Sequence, residues 1–499
     1  MKRFDLCVIG AGPSGYAAAM RAVDYGKNVL IIERDTIGGA GVTNGALSSK
    51  TWWELARNVD LVHKNKKRYN LNSPDVNFQA LKEEVDSAVE ERKELLFHHL
   101  EKLDKLDNGY SVTYVKGNAK LTSPTSIAIT KTSGLVENFE ADYIILATGS
   151  RPRELPQIPV DGKIIFTSDG IGTLENFPKS IVIVGAGVIG CEFATIFSSL
   201  HKTKVHLIDK GANILPFEDT DVVHVIEKNM ENHGVLIHRN SRMIRMEIIE
   251  GEVEYELEYT SGLKEVFRVE KALLSVGRVP NYEGLGLEDI GVELDNRGVI
   301  DNDTQTSIAN IYAVGDITAD IALVNVGELE GRYAVERIFG KPSRKLIYEN
   351  ISTIMFLNPE IAGVGLNQKQ AEAKGIDYKM AVVDYACIPR AVSKRNTQGF
   401  VKMLVTNDDK MKVLGMRVVG NHASSAIQAV ALLISVNAGI EELAECVHPH
   451  PSITEGIQEC VRLLMGKSTF KPEALTDKLA LKVCENGICR NVYAHAVIT

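Results

Sequence analysis

Two segments of the chain share one pattern, in which a short apolar run opens into closely spaced glycines and then into a helical stretch. Residues 4–12 read Phe-Asp-Leu-Cys-Val-Ile-Gly-Ala-Gly, and residues 181–190 read Ile-Val-Ile-Val-Gly-Ala-Gly-Val-Ile-Gly. Continuous apolar runs of this length are typical of buried parallel strands. The pattern therefore predicts two βαβ units, one at the N-terminus and one over residues 181–277.

The rest of the chain shows other periodicities. The polar, helically spaced residues 52–107 predict long surface helices, and the alternating residues 110–149 predict strands. Residues 300–340 return to strand and helix, and from about residue 346 short strands and helices alternate up to about residue 468. Residues 469–499 are predicted to form a polar tail.

Composition and charge narrow the class of protein. A chain of 499 residues is long enough for about three domains. The chain has 56 Lys and Arg against 65 Asp and Glu, which gives a net charge of −9. Because a protein that binds a polyanion is normally basic, nucleic acid is not an expected partner. No apolar run approaches the roughly 18 residues of a membrane span. A strand-like run that starts at residue 4 leaves no room for a leader peptide, so we expect a cytoplasmic protein or one already cut back to its mature start.

The first glycine cluster has the features of a dinucleotide site. Gly10, Gly12 and Gly15 allow a tight turn, close approach of the backbone to a pyrophosphate, and close helix packing. The helix that follows offers N–H groups and a positive dipole to phosphate. Glu33 lies 18 residues beyond Gly15, where an acid can accept hydrogen bonds from a ribose diol. The alternative is a glycine-rich turn without a ligand.

The second cluster repeats this arrangement with Gly185, Gly187, Gly190 and, nineteen residues later, Asp209. A carboxylate at this position binds a 2′-hydroxyl and repels a 2′-phosphate, which favours NAD(H) over NADP(H). Two such sites in one chain suggest two cofactors that exchange a hydride, and a hydride donor pairs naturally with a flavin. Two copies of one nucleotide, one of them structural, remain the alternative.

Four further motifs complete a resemblance to the flavoprotein disulfide reductase family, closest to dihydrolipoamide dehydrogenase. They are Ala147-Thr148-Gly149, Val276-Gly277-Arg278-Val279-Pro280-Asn281, Ala313-Val314-Gly315-Asp316 and His450-Pro451-Ser452-Ile453-Thr454-Glu455. The resemblance covers residues 1–468. It implies an α/β fold with two Rossmann-like dinucleotide-binding domains, for FAD and NAD, and an α+β C-terminal dimerisation domain.

The resemblance also implies domain boundaries and site residues. It implies a first FAD segment over 1–150, an NAD domain over 151–280, an FAD return segment over 281–345, a dimerisation domain over 346–468 and a tail over 469–499. It implies a homodimer in which the histidine of the last motif reaches the partner's flavin. The residues implied to bind cofactor are Gly39, Thr148, Gly149, Gly315 and Asp316 for FAD, and Gly277 at the exit of the NAD domain.

Two pairs of residues resemble the family's catalytic groups. Lys50 and Glu192 match an ion pair that lies beside the flavin, for which the alternative is two surface charges. His450 and Glu455 match the acid–base dyad, in which the carboxylate orients the imidazole and favours its protonated form. The alternative is a structural histidine.

One departure from the family decides the predicted chemistry. The family carries two cysteines, with four residues between them, in a segment that here runs from Gly38 to Lys50. Gly41 and Ala46 stand at the cysteine positions, so this segment has no thiol and the usual relay to a disulfide is interrupted. The loss of side-chain bulk is expected to give a small acceptor room beside the flavin.

The leading prediction is therefore an FAD-dependent NADH oxidoreductase that passes electrons to a small acceptor such as a quinone. A second hypothesis moves disulfide chemistry to the tail pair Cys484 and Cys489, for which a surface pair without function is the alternative. A third is a non-catalytic FAD-binding subunit of an assembly. Two cysteines are too few ligands for a closed zinc site, and no metal is expected.

Overall fold

The computed structural model describes residues 2–72, 75–104, 109–318 and 321–493, so residues 494–499 of the expected tail lie outside it. The chain divides into two compact units. The first comprises Met1–Phe177, Glu247–Val253 and Ala272–Leu346, and the second comprises Pro178–Met246, Glu254–Lys271 and Ile347–Thr499.

The elements follow one another along the chain in four stretches. The first stretch contains β1 (Lys2–Ile9), α1 (Pro13–Asp24), β2 (Val29–Glu33), α2 (Gly39–Val42), α3 (Ala46–Asn65), α4 (Phe78–Asp104), β3 (Val112–Lys116), β4 (Asn118–Ser123), β5 (Ser126–Thr130), β6 (Val136–Leu146), β7 (Ser150–Pro152) and β8 (Ile165–Thr167). The second contains β9 (Ser180–Val184), α5 (Val188–Ser199), β10 (Lys204–Ile208), α6 (Thr220–Asn232), β11 (Leu236–His238), β12 (Ser241–Ile249), β13 (Glu252–Tyr259), β14 (Lys264–Val269) and β15 (Lys271–Leu274).

The third stretch contains β16 (Arg278–Pro280), β17 (Leu294–Asp295), β18 (Gly298–Val299), β19 (Asp301–Asn302), β20 (Gln305–Thr306), β21 (Ile311–Ala313) and α7 (Val324–Phe339). The fourth contains β22 (Ser352–Met355), β23 (Ile361–Gly365), α8 (Gln368–Ala373), β24 (Tyr378–Asp384), α9 (Pro389–Ser393), β25 (Phe400–Thr406), β26 (Val413–Val419), α10 (Gln428–Ser435), α11 (Glu441–Glu445), α12 (Glu455–Leu464), β27 (Leu479–Glu485) and β28 (Ile488–Asn491).

The first unit is built on a nine-stranded sheet in the order β19-β20-β21-β6-β1-β2-β3, with β5 paired to β6 and β4 to β5. The neighbours β21-β6-β1-β2-β3 are parallel. Leu6 and Val8 pack on one face of this sheet and Cys7 and Ile9 on the other. Because both faces are covered, the strand is apolar at consecutive positions, as its sequence predicts.

The second unit contains the second predicted βαβ unit and an antiparallel sheet. Strands β9, β10 and β11 are parallel, with α5 between the first two. The C-terminal sheet has seven strands in the order β22-β23-β26-β25-β24-β27-β28. Helices α10, α11 and α12 contribute to its core, which includes Val430, Leu443 and Ile457.

The segment expected to be a polar tail differs from that expectation. Strand β27 pairs with β24 over six residue pairs from Leu479 to Cys484, and β28 folds back onto β27 as the edge of the sheet. Leu479, Leu481 and Cys484 are buried. The periodicity missed this strand because its short apolar run, from Leu479 to Cys484, lies between polar stretches.

Candidate functional site

The glycine turn after β1 leaves an open helix N-terminus. Gly10 has φ +107°, and a Cβ there would lie 2.3 Å from the carbonyl oxygen of Ala147. Gly12 is the N-cap of α1, and no atom lies within 4 Å of where its Cβ would be. A Cβ on Gly15 would lie 2.0 Å from the carbonyl oxygen of Gly10. The turn therefore presents bare backbone at the start of a helix, which fits a pyrophosphate.

The acid at the end of β2 faces this turn. Oε2 of Glu33 accepts a hydrogen bond from the Ala11 N–H at 2.7 Å, and Oε1 accepts one from the Asp35 N–H at 2.8 Å. Burial raises the pKa of Glu33, against the lowering effect of these two N–H groups. Each carboxylate oxygen has two lone pairs, so both can still accept a bond from a ribose hydroxyl.

The second glycine turn, in the other unit, repeats this geometry. Gly185 has φ +100°, and Gly187 is the N-cap of α5 with no atom within 4 Å of its missing Cβ. Oδ2 of Asp209 accepts the Ala186 N–H at 3.0 Å, and Oδ1 accepts the Gly211 N–H at 2.7 Å. Gly190 lies buried in the first turn of α5. The two turns thus fit two dinucleotides by the same means.

The segment that lacks cysteines is tightly packed. A Cβ on Gly39 would lie 3.3 Å from Cα of Gly12. A Cβ on Gly41 would lie 2.4 Å from Cγ of Pro13 and 3.8 Å from Cγ2 of Val324. Pro13 therefore occupies the place where a Gly41 side chain would begin, so the loss of side-chain bulk at this residue opens no room in that direction, contrary to expectation. Ala46, at the start of α3, is half-buried.

The residues of the expected ion pair lie in different units. Lys50 is on α3, where its Nζ donates to Oγ of Ser49 at 3.3 Å. Glu192 is buried on α5, and its Oε1 accepts the Phe356 N–H at 3.0 Å. Their pairing stays a prediction.

Two segments of the first unit, around Thr148 and around Asn281, are joined by hydrogen bonds. The Thr148 hydroxyl donates to the Asn281 carbonyl at 2.6 Å, and the Asn281 side-chain amide donates to the Thr148 carbonyl at 3.1 Å. The Asn281 N–H also donates to the carbonyl of Gly149 at 2.9 Å. Gly277, with φ +101°, precedes the segment around Asn281.

The return motif at Gly315 and Asp316 is held by residues that sequence reasoning missed. The Gly315 N–H donates to Oε2 of the buried Glu330 at 2.7 Å. Oδ2 of Asp316 accepts the Ser150 hydroxyl at 2.7 Å. Ser150 directly follows Gly149, a predicted FAD-binding residue, so the sequence offered a reason to consider it. Nothing in the sequence distinguishes Glu330 from the other acids of α7.

The predicted acid–base pair is formed in the second unit. Nδ1 of His450 lies 2.8 Å from Oε1 of Glu455, and the Ser452 N–H donates to Oε2 of Glu455 at 2.8 Å. Burial raises the pKa of the Glu455 carboxyl, but these partners hold it below its usual value. The His450 side chain is 70% exposed in the single chain.

The cysteines fall into three groups. Cys7, Cys191 and Cys460 are buried, and burial raises the pKa of each thiol, which makes them poor nucleophiles. Cys387 is half-buried and Cys446 exposed. Cys484 and Cys489 face each other on β27 and β28 and form a disulfide.

The described residues contain neither a metal-binding cluster nor a membrane-spanning helix. Within the part of the chain that the structure describes, His, Cys, Asp and Glu side chains form no cluster of three suited to a metal ion. None of the described helices is both long and apolar enough to cross a membrane.

Comparison with protein families assigns most of the chain. Residues 4–331 match the model of the pyridine nucleotide-disulphide oxidoreductases, and residues 351–461 match the dimerisation domain of the same proteins.

Relatives and solved structures agree with this match. A dihydrolipoyl dehydrogenase of Staphylococcus aureus is 33% identical over 93% of this chain and 97% of its own length. A leghemoglobin reductase of Glycine max is 28% identical over 93% and 88%. The crystal structure of LpdA from Mycobacterium tuberculosis matches at 27% identity with a TM-score of 0.84, over 93% of this chain and 100% of that one. The predicted fold class is thereby confirmed.

Proposed function

From the premise that the chain belongs to the pyridine nucleotide-disulphide oxidoreductase family, we propose that it passes a hydride from NADH to FAD and then passes the electrons to a small acceptor that is not a disulfide. The family and its relatives give the coarser part of this statement, an FAD-dependent pyridine nucleotide oxidoreductase. The acceptor class, for which a quinone is our choice, is the part proposed here.

The observation that carries the proposal is the absence of a thiol from the segment that runs from Gly38 to Lys50. The chain has no cysteine between Cys7 and Cys191, and a side chain on Gly41 would overlap Pro13. A thiolate at that residue is therefore excluded both by the sequence and by the space. The α2–α3 segment contains no dithiol that could accept electrons from the flavin. The simplest second substrate is therefore an acceptor that the flavin reduces directly.

The chain's own residues select and orient the two dinucleotides. The N-termini of α1 and α5 offer backbone N–H groups to the pyrophosphates. Glu33 accepts from the adenosine ribose of one dinucleotide and Asp209 from that of the other. Because Asp209 is fixed by two backbone N–H groups, it cannot turn away from a 2′-phosphate, and NADPH is disfavoured. When bound, FAD supplies two-electron chemistry with NADH and one- or two-electron chemistry with the acceptor.

The acid–base pair serves the acceptor side. Nδ1 of His450 donates to the Glu455 carboxylate, so the opposite ring nitrogen carries the transferable proton in the imidazolium form. A quinone that takes two electrons also takes protons on oxygen, and an imidazolium is a suitable donor near neutral pH. The pair thus protonates the acceptor, whereas in a dithiol enzyme it would serve a thiol.

Anaerobic rapid mixing of the purified protein with NADH tests the proposal. We expect the flavin absorbance to bleach fast, to an end point of two electrons per FAD, without a thiolate-to-flavin charge-transfer band. Quinones should then reoxidise it faster than lipoamide does. A flavin that NADH does not bleach contradicts the proposal and supports the non-catalytic subunit.

The tail disulfide supplies the second candidate function and an internal control. The specific observation in its favour is the formed Cys484–Cys489 disulfide, a two-electron group. Against it, Cys484 is buried in β27, which is paired along its length and does not hang free as a tail. Uptake of four electrons by the wild type, and of two by the Cys484→Ser/Cys489→Ser variant, would place the disulfide in the electron path.

A further inference from the structure

We infer that Ser150 is a positioning residue that fixes the carboxylate of Asp316 for FAD, and that Arg278 sets the direction of its hydroxyl. This inference rests on the proposed binding of FAD. It concerns a continuous polar chain in the first unit, Asp169–Arg278–Ser150–Asp316, whose middle two members lie on the paired strands β7 and β16.

The hydrogen-bond directions along this chain have only one solution. Nε of Arg278 lies 2.8 Å from Oγ of Ser150, and a guanidinium can only donate. The Ser150 oxygen is therefore an acceptor towards Arg278. Its single hydroxyl proton remains for the other partner, Oδ2 of Asp316, at 2.7 Å. A hydroxyl that accepts from a cation donates more strongly, so the bond to the carboxylate is reinforced.

The arginine is itself held at both ends. Nη2 of Arg278 donates to the main-chain carbonyl of Ser150 at 2.8 Å, and Nη1 lies 3.6 Å from Oδ1 of Asp169. The Arg278 and Asp169 side chains are only 21% and 28% exposed. Burial raises the pKa of Asp169, an effect that Arg278 opposes. The Arg278 guanidinium therefore cannot move away from the Ser150 hydroxyl without also losing its contacts with the Ser150 carbonyl and the Asp169 carboxylate.

The consequence falls on the return motif. With Oδ2 held by Ser150, the rotation of the Asp316 side chain is fixed and Oδ1 is presented in one direction. Gly315 beside it is fixed separately, through Glu330, so the loop has two independent supports. A ligand hydroxyl that binds Asp316 then loses less conformational freedom on binding, which lowers its rate of escape.

The test compares the rate of FAD release from three variant holoproteins with that from the wild type. Ser150→Ala removes the hydroxyl, Ser150→Thr keeps it, and Ser111→Ala is the matched control, since the Ser111 hydroxyl donates to the exposed Asn28 side chain at 3.0 Å. Release is followed by the fluorescence of free flavin after dilution. We expect Ser150→Ala to release FAD roughly tenfold faster or more, because it loses a hydrogen bond to a charged group. Ser150→Thr and Ser111→Ala should stay within about threefold of the wild type.

A merely structural role would give a different pattern. It would lower the unfolding temperature of the FAD-free proteins, whereas a positioning role lowers that of Ser150→Ala only in the FAD-bound form. In addition, Arg278→Lys should add little to Ser150→Ala in the double variant, because both act through one hydroxyl. Equal release from Ser150→Ala and Ser111→Ala, or failure of Ser150→Thr to restore slow release, overturns the inference. A wild-type protein that holds no FAD instead overturns the proposed function.

Discussion

At the scale of single residues, the glycine at position 41 carries more information than its type suggests. From the sequence alone, a glycine in place of a cysteine predicts that the missing side chain leaves an empty space. The structure shows the opposite, because Pro13, at the first position of α1, fills the place where a side chain would begin. Sequence spacing identified the position, but only packing could show that it is closed.

The first prediction follows from this contact. We expect Gly41→Ala to lower the free energy of unfolding of the first unit by about 1–3 kcal/mol, since the added Cβ overlaps Pro13 at 2.4 Å and must displace it. Chemical denaturation followed by flavin fluorescence measures this. Ala40→Ser, on the same short helix but exposed, is the control and should change stability by less than about 0.5 kcal/mol. Equal stability of Gly41→Ala and the control would show that the site is open.

At the scale of elements, one aspartate joins three of them in the second unit. Asp219 is the N-cap of α6, and its carboxylate also accepts the Gln368 and Lys369 N–H groups at the start of α8. The fully buried Lys402 of β25 lies 2.7 Å from it and also contacts Asp221. Burial raises the pKa of Asp219, but Lys402 and the two N–H groups hold it below its usual value.

The second prediction is a loss of stability in acid through this group. A carboxyl whose folded pKa is lowered stabilises the protein above its unfolded value of about 3.9 and loses that contribution as the pH falls. Asp219→Asn should therefore lower the free energy of unfolding at pH 7 by about 1.5–3 kcal/mol, since the buried Lys402 loses one of its two carboxylate partners and keeps Asp221. The difference from the wild type should shrink in urea titrations between about pH 5 and pH 2. Asp86→Asn, which breaks the exposed pair with Lys82 on α4, is the control and should cost below about 0.5 kcal/mol. A gap that is constant with pH would contradict the assignment.

The third prediction separates the two strands of the C-terminal hairpin. In β27, Leu479 and Leu481 are buried, whereas in β28 the Ile488 side chain is 75% exposed. Truncation after Asn486 removes Cys489 with its disulfide and should cost about 2 kcal/mol. Truncation after Lys478 should cost several kcal/mol more, at about 1.5–3 kcal/mol for each buried leucine. Thermal unfolding of the two truncated proteins measures this. Similar unfolding temperatures would show that β27 does not belong to the core of the sheet.

At the scale of the whole molecule, the sequence motifs predicted those structures whose residues lie close together along the chain. Each glycine turn, its acid and its helix lie within about thirty residues, so the spacing alone specified them, and the family match over residues 4–331 agrees. Lys50 and Glu192 lie in different units. The spacing of residues within a motif cannot predict whether two such distant positions form a pair. The Ser150–Asp316 bond spans 166 positions, and although Ser150 directly follows Gly149, the spacing does not show which distant residue it bonds.

The fourth prediction concerns how the two half-reactions divide over the molecule. Under the proposed function, the dinucleotide turns serve hydride transfer and the His450–Glu455 pair serves the acceptor, so Glu455→Gln should leave flavin reduction by NADH unchanged. It should lower quinone reduction roughly 100-fold, as expected for loss of general acid catalysis, but not the reduction of ferricyanide, which takes electrons without protons. Because its partners hold the pKa of Glu455 low, the wild type should keep its quinone activity down to about pH 5, where an ordinary carboxylate begins to be protonated. Glu441→Gln, on the exposed side of α11, is the control. If both acceptors slow together in Glu455→Gln, the pair supports the fold or the dimer, and the proton comes from elsewhere.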